Sequence, residues 1–405
     1  MKKILISAFS CLPNRGSEPG VGWNWAVLAA EEGYDVTVLT RTKCKKKIEP
    51  AIPEEVKKNL HFTYCDSSKK MRKISIYLEY LHWQWKSYKY AKTLTQKQGF
   101  DKIWFLTFGN MFLPIKIYKL NVPFVWGPIG GGEVVPKQFW KNWKLKYKFP
   151  HILKAFLTST VIHNPFVMLP AKKAEKIIAR TEETKNIFPN DIQEKTIINL
   201  ETLLDIKGFI ADIPRTKIEK KSKGLSLIYT GRLVPLKNVE LLLRAFQICK
   251  TEIPDLRLSI IGDGNDKKRL EAYVANNHLK DVKFWGNLER EKTLIKLSES
   301  DIFVFPSLRE GASWSLLEAM ALKKPIVCLE LNGIKETTDE KCALRVKVNN
   351  NDTISTLSKK YADAIIKVCK ISDEERKTMG ENGYQRLNDF FSFERGRKLV
   401  HEWLD

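Results

Sequence analysis

Arg309-Glu310-Gly311-Ala312-Ser313-Trp314-Ser315-Leu316-Leu317-Glu318-Ala319-Met320 sets two carboxylates eight residues apart with small residues between them. Upstream, Asp301-Ile302-Phe303-Val304-Phe305-Pro306-Ser307 is a short apolar run closed by a turn, the pattern of a buried strand, while Leu316 to Leu322 has helical spacing. Glu310 to Ser313 therefore fall in a strand-to-helix loop. In an open α/β sheet such a loop lies at the carboxyl ends of the strands, where ligands bind, and the free N–H groups and dipole of the next helix favour a phosphate. Glu318, inside that helix, does not help an anion and suits a neutral group with hydroxyls, such as a ribose. The pattern points to a nucleotide with something attached.

Working outward, the same half opens with a strand at Leu225 to Tyr229, followed by Thr230-Gly231-Arg232-Leu233-Val234-Pro235-Leu236-Lys237-Asn238 and a helix from Val239 to Cys249. Leu256 to Ile261 is a strand closed by Gly262-Asp263-Gly264, Lys267 to Ala275 a helix, and Val282 to Trp285 a further strand. The alternation continues through Ile326-Val327-Cys328-Leu329 and predicts a doubly wound parallel sheet. Arg232 and Lys237 fall at the carboxyl edge that also carries Glu310. A planar fork of donors beside a point charge suits a diphosphate. Base contacts are expected near Gly262 and Phe284-Trp285-Gly286-Asn287.

The first half repeats the logic less clearly. Lys3 to Phe9 reads as a strand, Ser10 to Gly22 as a loop carrying Gly16, Gly20 and Gly22, Trp23 to Glu31 as a helix and Gly33 to Leu39 as a second strand. The loop does not match G-x-G-x-x-G, and a plain surface loop is the alternative. Ile74 to Gln98 reads as one long helix with aromatics at Tyr77, Tyr80, Trp83, Trp85 and Tyr88; an amphipathic core helix is the first reading and an interfacial face the second. Lys102 to Thr107 and Val122 to Trp126 are strands. The latter runs into Gly127-Pro128-Ile129-Gly130-Gly131-Gly132-Glu133, expected to be a ligand-facing loop because consecutive glycines let something approach the backbone closely. In Lys137 to Phe149 lysines alternate with large aromatics, which suits either an anionic membrane surface or a solvated face.

A chain of 405 residues is too long for one core, so two domains are expected, with the boundary where periodicity fails between Thr202 and Lys223. No apolar run approaches the roughly 18 residues needed to span a membrane. The apolar stretch after Lys2-Lys3 is too short for a signal peptide and reads as the first strand. Seven widely spaced cysteines with no C-x-x-C pair argue for reduced thiols in the cytoplasm and against a zinc site. The net charge of +22 is uneven: residues 1–200 hold 33 Lys+Arg against 16 Asp+Glu, or +17, and residues 201–405 hold 36 against 31, or +5. A partner attracted by positive charge would therefore meet the N-terminal half.

These residues resemble the retaining glycosyltransferases of GT-B architecture, family GT4. The resemblance rests on Gly231-Arg232-Leu233 with Lys237, Ile261-Gly262-Asp263-Gly264, Phe305-Pro306-Ser307, Glu310 to Glu318 as E-x7-E, and Leu317-Glu318-Ala319-Met320 with Lys324-Pro325-Ile326-Val327, in order along the chain. It implies an α/β GT-B fold: two Rossmann-like domains facing across a cleft, residues 1–205 on the acceptor side and 206–387 on the donor side. A C-terminal helix within 388–405 would cross back to the first domain, with hinges near Thr202 to Lys217 and near Arg386. It further implies a metal-independent enzyme that needs no cofactor and moves a sugar, with retention, from a UDP- or GDP-linked donor to a lipid-linked or polysaccharide acceptor in cell-surface polysaccharide biosynthesis.

By that resemblance Arg232 and Lys237 hold the diphosphate, Glu318 the ribose, and Glu310 the sugar hydroxyls. Backbone from Gly311 and Ala312 through Ser313, Trp314 and Ser315 meets sugar and phosphate, and Gly262, Trp285, Asn287 and the Gly16–Gly20–Gly22 loop complete the donor side. A histidine often follows the family's strand equivalent to Val122 to Trp126; here none occurs between His82 and His151. The acceptor side is then left to Glu18, Gly127, Gly130, Gly131 and Glu133, with Glu18 or Glu133 as candidate bases or a donor phosphate oxygen taking the proton. The basic N-terminal half fits a peripheral place on the inner face of the cytoplasmic membrane. Two alternatives are a nucleotide-sugar 2-epimerase on the same fold and a basic nucleic-acid-binding protein; the latter lacks any RNP, zinc-finger or helix-turn-helix signature.

Overall fold

Apolar runs of three to seven residues bounded by turns form the strands, most of them buried on both faces. In chain order they are β1 (Lys3–Ser7), β2 (Asp35–Arg41), β3 (Leu60–Cys65), β4 (Lys102–Phe105), β5 (Phe124–Ile129), β6 (Lys176–Ala179) and β7 (Thr196–Ile198) in one sheet. A second sheet holds β8 (Ser226–Thr230), β9 (Arg257–Ile261), β10 (Val282–Gly286), β11 (Ile302–Phe305), β12 (Ile326–Leu329) and β13 (Ala343–Val346). The strand orders are β3-β2-β1-β4-β5-β6-β7 and β10-β9-β8-β11-β12-β13, with parallel pairing throughout. The computed structural model describes residues 1–14, 17–140, 143–211 and 224–405; Gly16, Lys141, Asn142 and the stretch ending at Lys223 lie outside the described residues.

The chain divides into two compact units. Met1–Gly132, Lys154–Leu203 and Phe393–Asp405 make the first; Glu133–Leu153 and Leu204–Ser392 make the second. Each is a Rossmann-like α/β unit built on one parallel sheet. Residues 133–153, read from the sequence with the N-terminal domain, group with the second unit. There the Gln138 side-chain amide donates to the Asn349 carbonyl at 3.0 Å.

In the first sheet side chains alternate between two cores: Ile4 and Ile6 join the cluster with Trp25, Trp104 and Trp403, while Leu5 joins the one with Phe9, Tyr80 and Trp83. Helix Ile76–Gln98 thus buries Tyr80, Trp83 and Ala91 as a core helix, yet Tyr77, Leu81, Trp85 and Tyr90 on its other positions are exposed.

The final helix, Phe393–Leu404, belongs to the first unit. It starts five residues later than the sequence reading placed the crossing segment, because helix Asp373–Phe391 runs on until Ser392 turns extended. Trp403 packs against Trp25 with ring centres 4.5 Å apart and the planes tilted by 32°, and edge-on at 5.8 Å from Trp104, and all three rings are fully buried. Trp403→Ala is expected to cost about 3–5 kcal/mol, read as an earlier unfolding transition; an unchanged transition would mean that the helix is not anchored there.

Two further differences concern glycines. Helix Ser17–Glu31 begins six residues before the expected Trp23, so Gly20 and Gly22 sit inside it rather than in a loop. Pro19 is tolerated in a first turn, and Glu18 favours that end of the dipole. Gly22 is there because an added Cβ would run into the Ser10 carbonyl. Likewise β5 continues through Gly127 to Ile129 where a loop was expected. Gly127 has φ +137°, and a Cβ there would collide with the Ile178 carbonyl of β6.

Candidate active site

In the second sheet the connections change direction between β8 and β11, and at such a switch point the loops leaving the two strands part to leave a crevice. The loop after β8 carries Gly231 and Arg232, a short turn at Pro235–Lys237, and Asn238 in the left-handed region at φ 54°. The loop after β11 carries Ser307 to Ser313 and ends in helix Trp314–Ala321.

Leu308 N–H donates to Leu236 O at 3.0 Å between these two loops, and the first is also tied by backbone to the loop after β9. Leu233 N–H donates to Asp263 O at 2.8 Å and Asp266 N–H to Leu233 O at 2.9 Å. Gly262, at φ +135°, lies so close to the Gly231 carbonyl that any Cβ would overlap it. Behind the other loop, Gly333 N–H donates to the Glu310 carbonyl at 3.1 Å. Gly262→Ala is expected to strain the junction by about 1–3 kcal/mol and to open the site; an unchanged melting temperature with unchanged ligand binding would contradict this.

A cavity of about 590 Å³ results, within the usual range for small-molecule sites. Its lining includes Thr230, Arg232, Lys237, Gly262, Asp263, Asn287, Thr293, Glu310, Ala312 to Ser315 and Glu318. Lys237 Nζ forms an ion pair with Glu310, and Ser307 Oγ donates to the same carboxylate oxygen at 2.5 Å. Both charged side chains are nearly buried, at 13% and 11% exposure. Arg232 is exposed and lines the same cavity.

The first N–H groups of helix Trp314–Ala321 have no partner within the helix. The Trp314 indole N–H and the Thr230 hydroxyl are buried with no hydrogen-bond partner. Burial pushes the Glu318 carboxyl up to about 7, opposed by Arg290, whose guanidinium is 3.9 Å away. Chemically the cavity offers an exposed guanidinium, a held ammonium, helix N–H donors and a deep, proton-retaining carboxyl. Among the described residues no three His, Cys, Asp or Glu side chains gather as a metal site.

Residues 212–386 match the family described as glycosyl transferases group 1. The match covers 175 of the chain's 405 residues, and the likeness to that family is the likeness of this segment. It is similar to an uncharacterised glycosyltransferase of Methanocaldococcus jannaschii, 28% identical over 63% of each chain. A GDP-mannose-dependent monoacylated phosphatidylinositol monomannoside mannosyltransferase of Corynebacterium glutamicum is 27% identical over 51% of this chain and 55% of its own length. The matches thus span little more than half the length of these relatives. The crystal structure of Anabaena HepE in complex with UDP shares the fold over 100% of this chain and 99% of its own, with a TM-score of 0.63 at 15% identity.

Ten of the residues picked from sequence line one cavity: Arg232, Lys237, Gly262, Asn287, Glu310, Ala312, Ser313, Trp314, Ser315 and Glu318. Gly311 and Trp285 are not among the lining residues. Trp285 carries Lys283 Nζ at 3.7 Å and Lys296 Nζ at 4.9 Å from its ring, and its indole N–H donates to Ser259 Oγ at 3.3 Å. Sequence reading missed Thr230, Asp263, Thr293, Ser307 and Arg290. Three of them carried a signal: Thr230 at the head of Thr230-Gly231-Arg232, Asp263 within Ile261-Gly262-Asp263-Gly264 and Ser307 at the end of Phe305-Pro306-Ser307.

On the acceptor list, Glu18, Gly127, Gly130 and Gly131 belong to the first unit and Glu133 to the second; Gly20 and Gly22, expected on the donor side, also belong to the first unit. Glu18 accepts from the Gly109 N–H at 3.0 Å, and Gly130 N–H donates to Gly109 O at 2.7 Å. What approaches Gly127, Gly131 and Gly132 closely is the protein itself: Ile178, Met111 and Glu183 respectively. The ligand-facing loop expected here is thus packed against its own unit. Glu133 is buried, and its charge with that of Glu310 partly offsets the lowering that burial imposes on Arg309.

Proposed function

We propose that this chain transfers a sugar from a nucleotide-diphosphate sugar to a glycan or lipid-linked acceptor, with retention at the anomeric carbon. The observation that carries the reading is the meeting of Arg232, Lys237, Glu310, Glu318 and the start of helix Trp314–Ala321 in one cavity at the switch point of a doubly wound sheet. Arg232 and Lys237 take the diphosphate, Glu318 the ribose hydroxyls and Glu310 the sugar. The UDP in the crystals of HepE and the GDP-mannose in the name of the Corynebacterium relative support a UDP- or GDP-linked donor.

As the glycosidic bond breaks, negative charge grows on the leaving diphosphate. Fixed cations and N–H donors stabilise that charge more than they stabilise the ground state. Lys237 is already oriented by its ion pair with Glu310, so little reorganisation accompanies bond breaking. With two side-chain cations on the phosphates, transfer needs no divalent ion and no cofactor. A phosphate oxygen of the donor takes the acceptor proton, with Glu18 or Glu133 as the alternatives.

The acceptor is placed at the cytoplasmic face of a membrane, in cell-surface polysaccharide synthesis. The first unit exposes Ile74, Ile76, Tyr77, Leu81 and Trp85 in a stretch that also carries Lys69, Lys70, Arg72, Lys73, Lys86 and Lys89. Exposed aromatics flanked by lysines suit an anionic headgroup layer. Of the stretch Lys137 to Phe149, Phe139 and Trp140 are buried, while Leu145 and Phe149 are exposed. No described helix is long and apolar enough to cross a membrane, so contact would be peripheral. Sedimentation with liposomes should increase with anionic lipid; indifference to lipid charge removes this part.

The test of the reaction is nucleotide release from UDP- and GDP-sugars in the presence of acceptor, with and without EDTA. Undiminished release in EDTA is expected. Activity abolished by EDTA and restored by Mn²⁺ would overturn the metal-independent mechanism, and release that never requires a second substrate would favour epimerisation.

A further inference from the structure

The second unit contains a larger cavity, about 920 Å³, that shares a loop with the donor cavity. Arg232 and Lys237 line the donor side, whereas Pro235 and Asn238 of the same loop line the second cavity. Its remaining walls come from the 133–153 segment, the loop after β9 and residues 350–354.

The chemistry of these walls is specific. Phe139, Trp143 and Tyr147 present three aromatic rings within nine residues, and Gln138, Asn238 and Asn350 present carboxamides. Acidic groups on the lining are already neutralised within the protein. Arg269 pairs with Asp266 at 2.7 Å and also with Glu240, and Asp352 pairs with Lys360 at 2.7 Å.

Asn238 supplies a separate observation. It is held in the left-handed region at φ 54°, is only 8% exposed, and its Nδ2 has no hydrogen-bond partner. A buried donor without an acceptor is unfavourable, and the residue that carries it lies on the lining of this cavity. Aromatic faces accept the apolar C–H face of a sugar ring, and amides, which both donate and accept, match its hydroxyls. Lys144 and Lys146 also line the cavity and helix Ile354–Lys370 begins on it, so an acidic substituent on the sugar chain is accommodated as well.

We propose that this cavity is a second carbohydrate site, holding a stretch of glycan chain away from the transferring centre. It rests on the glycosyl-transfer reading for naming that chain as acceptor or product, but the binding itself does not depend on that reading. The shared loop would keep the chain beside the donor site between transfers.

The test uses the full chain on an array of neutral hexasaccharides of glucose, mannose, galactose and N-acetylglucosamine, followed by calorimetry with the best binder. Trp143→Ala and Asn238→Asp are each expected to weaken binding at least tenfold while the melting-temperature shift with nucleotide-sugar is retained. The second variant keeps the side chain's size and tolerates the same backbone, so a general loss of folding is separable from loss of the site. No binding to any neutral hexasaccharide by the unaltered protein would overturn the proposal, as would equal binding by both variants. Loss of the nucleotide-sugar shift in the unaltered protein would instead strike the transferase reading and leave the glycan result standing.

Discussion

Lys237→Ala is expected to lower kcat by about 10²–10³-fold, the usual cost of removing one fixed donor aimed at developing charge. Its ammonium is the cation already held in place, paired with Glu310 and lying 5.4 Å from the centre of the Phe305 ring. Removing it also leaves the Glu310 carboxylate, only 11% exposed, without its counter-charge. That should destabilise the second unit by about 3–5 kcal/mol. The two effects separate in Lys237→Ala combined with Glu310→Gln, which should regain much of the stability and none of the turnover. A double variant that recovered activity along with stability would show that the lysine serves folding alone.

Glu318 gives the second large effect, and its sign depends on pH. Burial raises its pKa to about 7, so the empty folded protein keeps a proton that the unfolded chain releases near the ordinary carboxylate value. The associated stability is fully present below about pH 4.5 and is lost as pH rises through about 7, on the order of 3 kcal/mol in all. Glu318→Gln should therefore raise the melting temperature more at pH 8 than at pH 5. Ribose hydroxyls must donate to the ionised form, so donor affinity should rise with pH and level off above about 7. In Glu318→Gln that slope should vanish, with affinity roughly 10–100-fold weaker at pH 8, as expected for hydrogen bonds to a charged group. A pH slope that survives the substitution, or lost turnover with intact donor affinity, would contradict a ribose-binding role.

Glu318 and Glu310, the partner of Lys237, both lie in the stretch from Arg309 to Met320, whose place at the sheet edge was legible in sequence because local rules govern it. A buried parallel strand such as Phe303-Val304-Phe305 is an uninterrupted apolar run, the helix after it has its own period, and the loop between must lie at the sheet's carboxyl edge. Arg232 and Lys237 were legible for the same reason. Arg290 and Thr293 were not, since their helix follows a different strand and only the assembled sheet brings it to Glu318. Nor did local pattern show that Trp285 lies beneath two lysines.

In the first unit glycines misled. Gly20, Gly22 and Gly127 looked like loop or ligand positions, but Gly20 and Gly22 lie inside a helix, and a carbonyl from a neighbouring segment comes close to Gly22 and to Gly127. A missing Cβ records a close approach without saying what approaches. The grouping of residues 133–153 with the second unit was equally hidden, being decided by contacts such as Gln138 with Asn349, more than two hundred residues away.

The most direct measurement is the melting temperature in the presence of UDP-, GDP-, ADP- and CDP-sugars, for the unaltered protein and for Arg232→Ala. A ligand at a hundred times its Kd stabilises by about 2.7 kcal/mol, enough to move the transition by several degrees. At least one nucleotide-sugar should do so, and Arg232→Ala should abolish the shift at the same concentration. A protein whose melting temperature none of the four donors moves, or whose shift survives Arg232→Ala undiminished, would contradict the assignment of this cavity as the nucleotide-sugar site.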